Sequence, residues 1–457
     1  MNSEQVDVVI IGAGFSGMYA LHRLREHKVV CFEAGDGVGG TWYWNRYPGA
    51  RVDIESMEYS YGFDEALQQE WKWPEYFSAQ PDLERYANHV ADRFDLRKHI
   101  RFSTTVSRMS FDEADNRWHV HTEQGDHVVC RYVIAATGSL TAPNIPPWPG
   151  REEFRGDILH TARWPREGVD FTGKRVGFIG TGSTGIQAAP IIAEQAEHLY
   201  VFQRTPAYCM PSGNRPLDEA HEREWKAHYR ERREQMLHTY GASLIEYAEH
   251  PAADYTPEQR EEILEKAWNS KSAFQLLFAF RDVMTDQTSN EIVCEFARNK
   301  IRSIVKDPET AELLCPKTYP IGGKRLCIGN GYFEMYNRDN VTLVDAKSSP
   351  ITAFTESGLR TSDADYELDV IVAATGFDAV TGAMARIDIE GVDQRKLSRK
   401  WEEGPTTYLG AMVSGFPNLF MIHGPTTPSA QAQMITTGEW QVNWTADIIE
   451  AMERESL

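Results

Sequence analysis

Two short apolar runs, each ending in a glycine cluster and continuing as apolar residues at helical spacing, organise this chain. Val8-Val9-Ile10-Ile11 leads into Gly12-Ala13-Gly14-Phe15-Ser16-Gly17, after which Met18, Leu21 and Leu24 recur on one helical stripe. Val176-Gly177-Phe178-Ile179 leads into Gly180-Thr181-Gly182-Ser183-Thr184-Gly185, followed by Ile186, Ala189, Ile191 and Ile192. A continuous apolar run predicts a parallel strand buried on both faces, and the period change after it predicts a helix. Strand, tight glycine turn and helix start together form a pyrophosphate site. The glycines let the backbone approach the phosphates, and the helix start supplies amide donors and the positive end of its dipole.

The strand after each glycine turn ends in a residue of different charge. Val29-Val30-Cys31-Phe32 ends in Glu33, whose carboxylate suits a free ribose hydroxyl and repels a 2′-phosphate. Leu199-Tyr200-Val201-Phe202 ends in Gln203-Arg204-Thr205, where a guanidinium suits a phosphorylated ribose. The first site therefore fits FAD or NAD and the second NADPH. The fold class expected is α/β, with two Rossmann-like dinucleotide-binding domains.

Between these units the pattern changes several times. Gly37-Val38-Gly39-Gly40 runs into Thr41-Trp42-Tyr43-Trp44, aromatic residues able to cover a flavin ring beside a pyrophosphate site. Alternation at Trp118-His119-Val120-His121 and the run Val133–Ala136 predict β-structure over 104–136. The segment Pro143–Gly150 is too rich in proline for regular structure and reads as a stiff connection. From about Leu217 to Arg302 the chain is charged and helical in pattern, with Trp225, Tyr229 and Met236 on a stripe. The run Arg230–Glu234 within it reads as one solvated, charge-mixed helix face. Strands return at Val341–Val344 and Asp369–Ala374. Residues 1–142 and 379–457 are expected to form the first domain, 151–215 and 316–378 the second, and 216–315 a helical insertion.

Charge and cysteine usage narrow the function classes. Lys plus Arg number 47 against 67 Asp plus Glu, a net charge of −20, which disfavours nucleic acid and anionic membranes as partners. No apolar stretch is long enough for a membrane span, and Glu4 and Asp7 precede the first strand, so a cytoplasmic location is expected. The cysteines, Cys31, Cys130, Cys209, Cys294, Cys315 and Cys327, include no close pair and read as buried thiols. The lack of a Cys-x-x-Cys argues against a flavin-dependent disulfide reductase.

Between the proline-rich connection and the second glycine cluster stands Phe154-x-Gly156-x-x-x-His160-x-x-x-Trp164-Pro165. With Thr41–Arg51, Gly322-Gly323-Lys324-Arg325, Asn337–Val341 and Ala374–Asp378, it resembles the type I Baeyer–Villiger monooxygenases along essentially the whole chain. The resemblance implies an NADPH- and FAD-dependent enzyme that uses O2 to convert an apolar ketone to an ester or lactone. It implies that Arg325 is the catalytic arginine, stabilising the anionic peroxide on the flavin, and that Asp53 positions it. Ser16, Glu33, Trp44, Asp53, Tyr59, Val106 and Met434 match positions lining FAD, and Lys324 joins Arg204 and Thr205 at the 2′-phosphate. His160 is expected to be a hinge element rather than a general base. The pocket is expected to be shaped by residues 425–434 and the insertion. The family's sequence extends past the position of Leu457, which predicts either a truncated chain or a more open site. Two other outcomes stay open: oxygenation of a sulfide or amine, and uncoupled oxidation of NADPH.

Overall fold

The structure, a computed structural model, describes residues 4–270, 274–427 and 432–456. Each apolar run is the central strand of a sheet. Among the described residues the larger sheet has eight strands. Glu4–Ile11 lies in it between Val29–Phe32 and His127–Ala135, parallel to both. An antiparallel meander, Val106–Asp112 to Arg117–Thr122 to His127–Ala135, extends one side. Leu419–Met421 also pairs with His127–Ala135, so the end of the chain returns to the first sheet. The second sheet is wholly parallel, in the order Val341–Asp345, His198–Gln203, Arg175–Ile179, Val370–Ala373, Asp157–His160.

The glycines at the strand–helix turns are dictated by backbone approach. Gly12 has φ +98°, and a Cβ there would lie 2.6 Å from the carbonyl oxygen of Ala136. A Cβ on Gly17 would lie 1.8 Å from the carbonyl oxygen of Gly12, so only glycine lets the helix Phe15–Arg23 start against the strand. Gly180 and Gly185 repeat both constraints in the second unit, against Ala374 and Gly180.

The insertion consists of helices at Glu219–Ala227, Tyr229–Leu237, Pro257–Trp268, Gln287–Ile304 and Pro308–Leu314, with irregular chain between. Its apolar stripes do not form a separate core. Trp225, Tyr229, Met236, Leu264 and Phe296 join one cluster with Met18, Leu21, Tyr61 and Tyr86 of the first unit. The helical segment therefore packs on the first unit and shares its core.

One sequence expectation fails here. Arg230 and Glu234 are exposed, but Arg233 is buried and ion-paired with the equally buried Glu439. Arg233 lies one turn after Tyr229, on the inward stripe of its helix. Its counter-ion comes from the helix Met434–Glu455, 206 residues away, which no local pattern reveals. All six cysteines are buried and free. Among the described residues no helix is long and apolar enough to cross a membrane.

Candidate active site

The first glycine turn is closed by Glu33. Its carboxylate accepts from the amides of Ala13 at 2.7 Å and Gly35 at 2.8 Å, which fixes it under the turn. Burial raises its pKa despite those donors. Gly14 faces the backbone of Gly40, so the turn and the start of the short helix Thr41–Trp44 meet. Trp42 donates from Nε1 to the Tyr59 hydroxyl at 3.0 Å, and Phe15 packs edge-on against Tyr59. Tyr59 is half-buried, and desolvation raises its pKa to about 12, so its hydroxyl stays neutral. Ser16 lies against Gly438, one turn beyond Met434 at the start of the C-terminal helix. Val106 is buried at the start of its strand, two residues after Thr104, whose amide bonds the Glu33 carbonyl. The set proposed for FAD thus surrounds one glycine turn.

The second turn is more open. A Cβ on Gly182 would meet nothing within 4 Å, the room a pyrophosphate needs. Thr181 Oγ1 donates to the Thr205 carbonyl at 3.0 Å, which draws Arg204 and Thr205 towards the turn. Arg204 is exposed and has no ion pair among the described residues; Lys324 is exposed and lies 4.7 Å from the Tyr319 ring centre. These cations suit a 2′-phosphate. Replacing Arg204 with alanine is expected to raise the KM for NADPH roughly ten- to a hundredfold, as for one lost charge-assisted hydrogen bond, and to leave that for NADH little changed. Initial rates with the two nucleotides check this.

The segment Thr41–Arg51 joins the two turns. Tyr47 donates to Gln187 Oε1 at 3.0 Å, and Gln187 Nε2 donates to the Arg51 carbonyl at 3.2 Å. Trp44 lies under the Arg163 guanidinium, whose carbon is 4.3 Å from the ring centre. Arg163 follows His160 in the fingerprint. His160 Nδ1 accepts from the Ala162 amide at 3.1 Å, and its Nε2 lies 3.3 Å from Thr375 Oγ1. Thr375 Oγ1 donates in turn to the Asn144 carbonyl at 2.5 Å. The histidine therefore sits where the proline-rich connection and the last strand of the second sheet cross between units. Burial lowers its pKa, which favours the uncharged imidazole at this junction.

Arg325 and Asp53, 272 residues apart in sequence, meet in the structure. Arg325 Nε and Nη2 donate to the two Asp53 oxygens at 2.6 Å each, a bidentate pair. The guanidinium carbon is also 5.0 Å from the Phe274 ring centre. Burial opposes the charge on Arg325, but Asp53 outweighs it and its pKa is raised. Its Nη1 makes no hydrogen bond among the described residues.

A cavity of about 570 Å³ opens from Asp53 under the insertion, lined in part by Ile54, Phe77, Leu244, Phe274 and Phe278. Part of the pocket-forming segment expected at 425–434, residues 428–431, lies outside the described residues. Glu58, also on the cavity, was not legible in the sequence. It is buried; it accepts from Ser243 Oγ and from the Leu244 amide, the latter at 3.3 Å. Burial chiefly, then Glu55, raises its pKa from 4.5 to about 7. Because the folded value is the higher one, the stability Glu58 contributes is complete below pH 4.5 and lost as pH rises to about 7. Glu58→Gln is therefore expected to gain in Tm relative to the wild type across that interval. Paired thermal melts at a series of pH values test this.

Residues 5–247 match the family model described as flavin-binding monooxygenase-like. A Baeyer–Villiger monooxygenase of Pseudooceanicola batsensis is 44% identical, over 99% of this chain and 83% of its own. The chain belongs to the flavin-binding monooxygenase-like family, among its Baeyer–Villiger monooxygenases. Cyclohexanone 1,2-monooxygenase of Acinetobacter sp is 40% identical over 97% of this chain and 82% of its own. The solved OTEMO complex with FAD and NADP superposes with a TM-score of 0.97 at 43% identity, covering 100% of this chain and 87% of that one.

Proposed function

We propose that this flavin monooxygenase converts an apolar ketone to an ester or lactone with NADPH, FAD and O2, using Arg325 as the catalytic residue and Asp53 to position it. The bidentate Arg325–Asp53 pair at the edge of an apolar-walled cavity carries the reading. Bound FAD, reduced by NADPH, supplies the electrons and the place where O2 is activated. Gly12, Gly14, Phe15, Ser16, Gly17, Glu33, Thr41, Trp42, Trp44, Tyr59, Val106 and Met434 would hold it, and Gly180 to Gly185, Arg204, Thr205 and Lys324 would hold NADPH.

Arg325 does two things in this reading. Its charge cannot be lost near neutral pH, so it favours an anionic oxygen nucleophile without protonating it. When the ketone carbon is attacked, charge grows on the carbonyl oxygen, and the free Nη1 donors are preorganised to receive it. Asp53 occupies the Nε donor and one Nη2 donor and fixes the plane of the guanidinium. The crossing at His160 and Thr375 is where the two nucleotide units can turn relative to each other. The test is product analysis with FAD-loaded protein, NADPH and a panel of linear, cyclic and aryl ketones. Ester or lactone in proportion to NADPH consumed is the result expected; hydrogen peroxide alone with every ketone overturns the proposal.

A further inference from the structure

The end of the fingerprint segment faces both nucleotide units at once. Trp164 is buried in the core of the second unit with Phe171, Val176 and Phe178. Arg163 and Arg166, on either side of Trp164-Pro165, are exposed and reach across to the first unit. The guanidinium carbon of Arg163 lies 4.3 Å from the ring centre of Trp44, and that of Arg166 lies 4.7 Å from the ring centre of Tyr43. The two rings meet edge-on, their centres 4.7 Å apart. Arg166 also donates to Asp36 Oδ1 at 2.8 Å, an oxygen that accepts from the Tyr43 hydroxyl at 2.6 Å. Arg163 pairs with no carboxylate among the described residues. It donates to the carbonyls of Ala162 at 2.7 Å and Thr141 at 3.2 Å, the latter on the chain that crosses between the units.

Both rings are tied to the first glycine turn. Tyr43 fills a slot in which a Cβ on Gly35 would lie 2.6 Å from its ring and one on Gly37 3.0 Å. Gly40, which starts the helix Thr41–Trp44, meets Gly14 of the turn itself. On the other side, Arg163 ends the short helical turn Thr161–Arg163 that follows the strand Asp157–His160. The neighbouring strand, Val370–Ala373, leads into Ala374, whose carbonyl faces Gly180. Two arginines therefore link the turn that takes FAD to the turn that takes NADPH. An exposed cation–ring contact is weak enough to break and re-form during turnover, unlike a buried ion pair. We propose that Arg163 and Arg166 are positioning residues, which hold Trp44 and Tyr43 and so favour the arrangement of the units that brings the two bound nucleotides together for hydride transfer. This role rests on the FAD and NADPH sites above and is independent of the ketone.

Two measurements on the FAD-loaded protein test this. The first reads the arrangement of the units with NADP⁺ bound. Spin labels are placed through Glu26→Cys in the first unit and Lys347→Cys in the second, both exposed positions, while the native cysteines are buried. The distance distribution between the labels is expected to broaden in the double variant Arg163→Gln with Arg166→Gln. The second is anaerobic mixing with NADPH, without ketone, followed by flavin absorbance. The limiting rate of flavin reduction at saturating NADPH is expected to fall roughly two- to fivefold in each single variant, the value of one exposed cation–ring contact, and further in the double variant. Arg163→Lys keeps a cation for Trp44 and is expected to keep most of the rate. Tm and FAD content are expected to stay near those of the wild type because both arginines are exposed, so slower reduction reports position rather than folding. An unchanged distance distribution or an unchanged limiting rate in the double variant overturns the proposal. A wild type that NADPH does not reduce overturns the cofactor reading, and the distance measurement then decides whether the arginines hold the units.

Discussion

Arg325→Ala is expected to lower ester or lactone formation about 10²- to 10³-fold, the loss of roughly 2.7–4 kcal/mol that follows removal of one preorganised donor to a developing oxyanion. The magnitude is large because the guanidinium is held on two sides, by Asp53 through Nε and Nη2 and by Phe274 beneath. Among the described residues no other cation shares those contacts. NADPH oxidation is expected to continue in the variant, with its electrons appearing as hydrogen peroxide. Product yield per NADPH consumed, measured alongside peroxide, checks this. Asp53→Asn keeps the shape of the partner but not its charge and is expected to fall between the two proteins. Equal product yield in wild type and Arg325→Ala would remove the arginine from the chemistry and favour sulfide or amine oxygenation, which needs it less.

The second large effect is on stability. Glu439 is buried on the C-terminal helix; it accepts from Arg233 and from the Gly62 amide at 2.8 Å. Arg233 also donates to the carbonyls of Glu58 at 3.3 Å and Ser60 at 3.1 Å. Glu439→Ala leaves that guanidinium without a counter-ion inside the core, and breaking a buried pair in this way costs about 3–5 kcal/mol. The double variant Arg233→Met with Glu439→Met removes both charges together and is expected to recover most of the loss. Denaturant unfolding of the FAD-loaded proteins measures both. A single variant as stable as the wild type would show that water reaches Arg233. The segment 58–62 includes Tyr59, so weaker FAD retention in Glu439→Ala is expected to accompany the loss.

Local pattern carried the two strand–turn–helix units because their constraints are local. A Cβ at Gly17 collides with the carbonyl of Gly12 five residues back, and the turn itself sets Gly12 at φ +98°, so the residue types record the turn directly. The charge contrast of Glu33 and Arg204 is legible for the same reason, since each ends the strand that follows its glycine turn. The Arg325–Asp53 pair was reached through resemblance rather than spacing, as its partners lie 272 residues apart. Periodicity marked Trp225, Tyr229 and Met236 as inward but misread Arg233. A helix-face pattern scores an arginine as polar, whereas its environment is set by the carboxylate that folding brings to it.

The sequence by itself determined the two glycine turns, the nucleotide each suits and the helical character of the insertion. These depend on backbone sterics and side-chain charge within a few dozen residues. The tertiary structure alone decided that the insertion shares its core with the first unit, that a cavity opens beside Asp53, and which partners Arg163, Glu58 and Arg233 take. Those properties are sums over contacts between segments separated by more than a hundred residues, and burial and counter-ions at such range exist only once the chain has closed on itself.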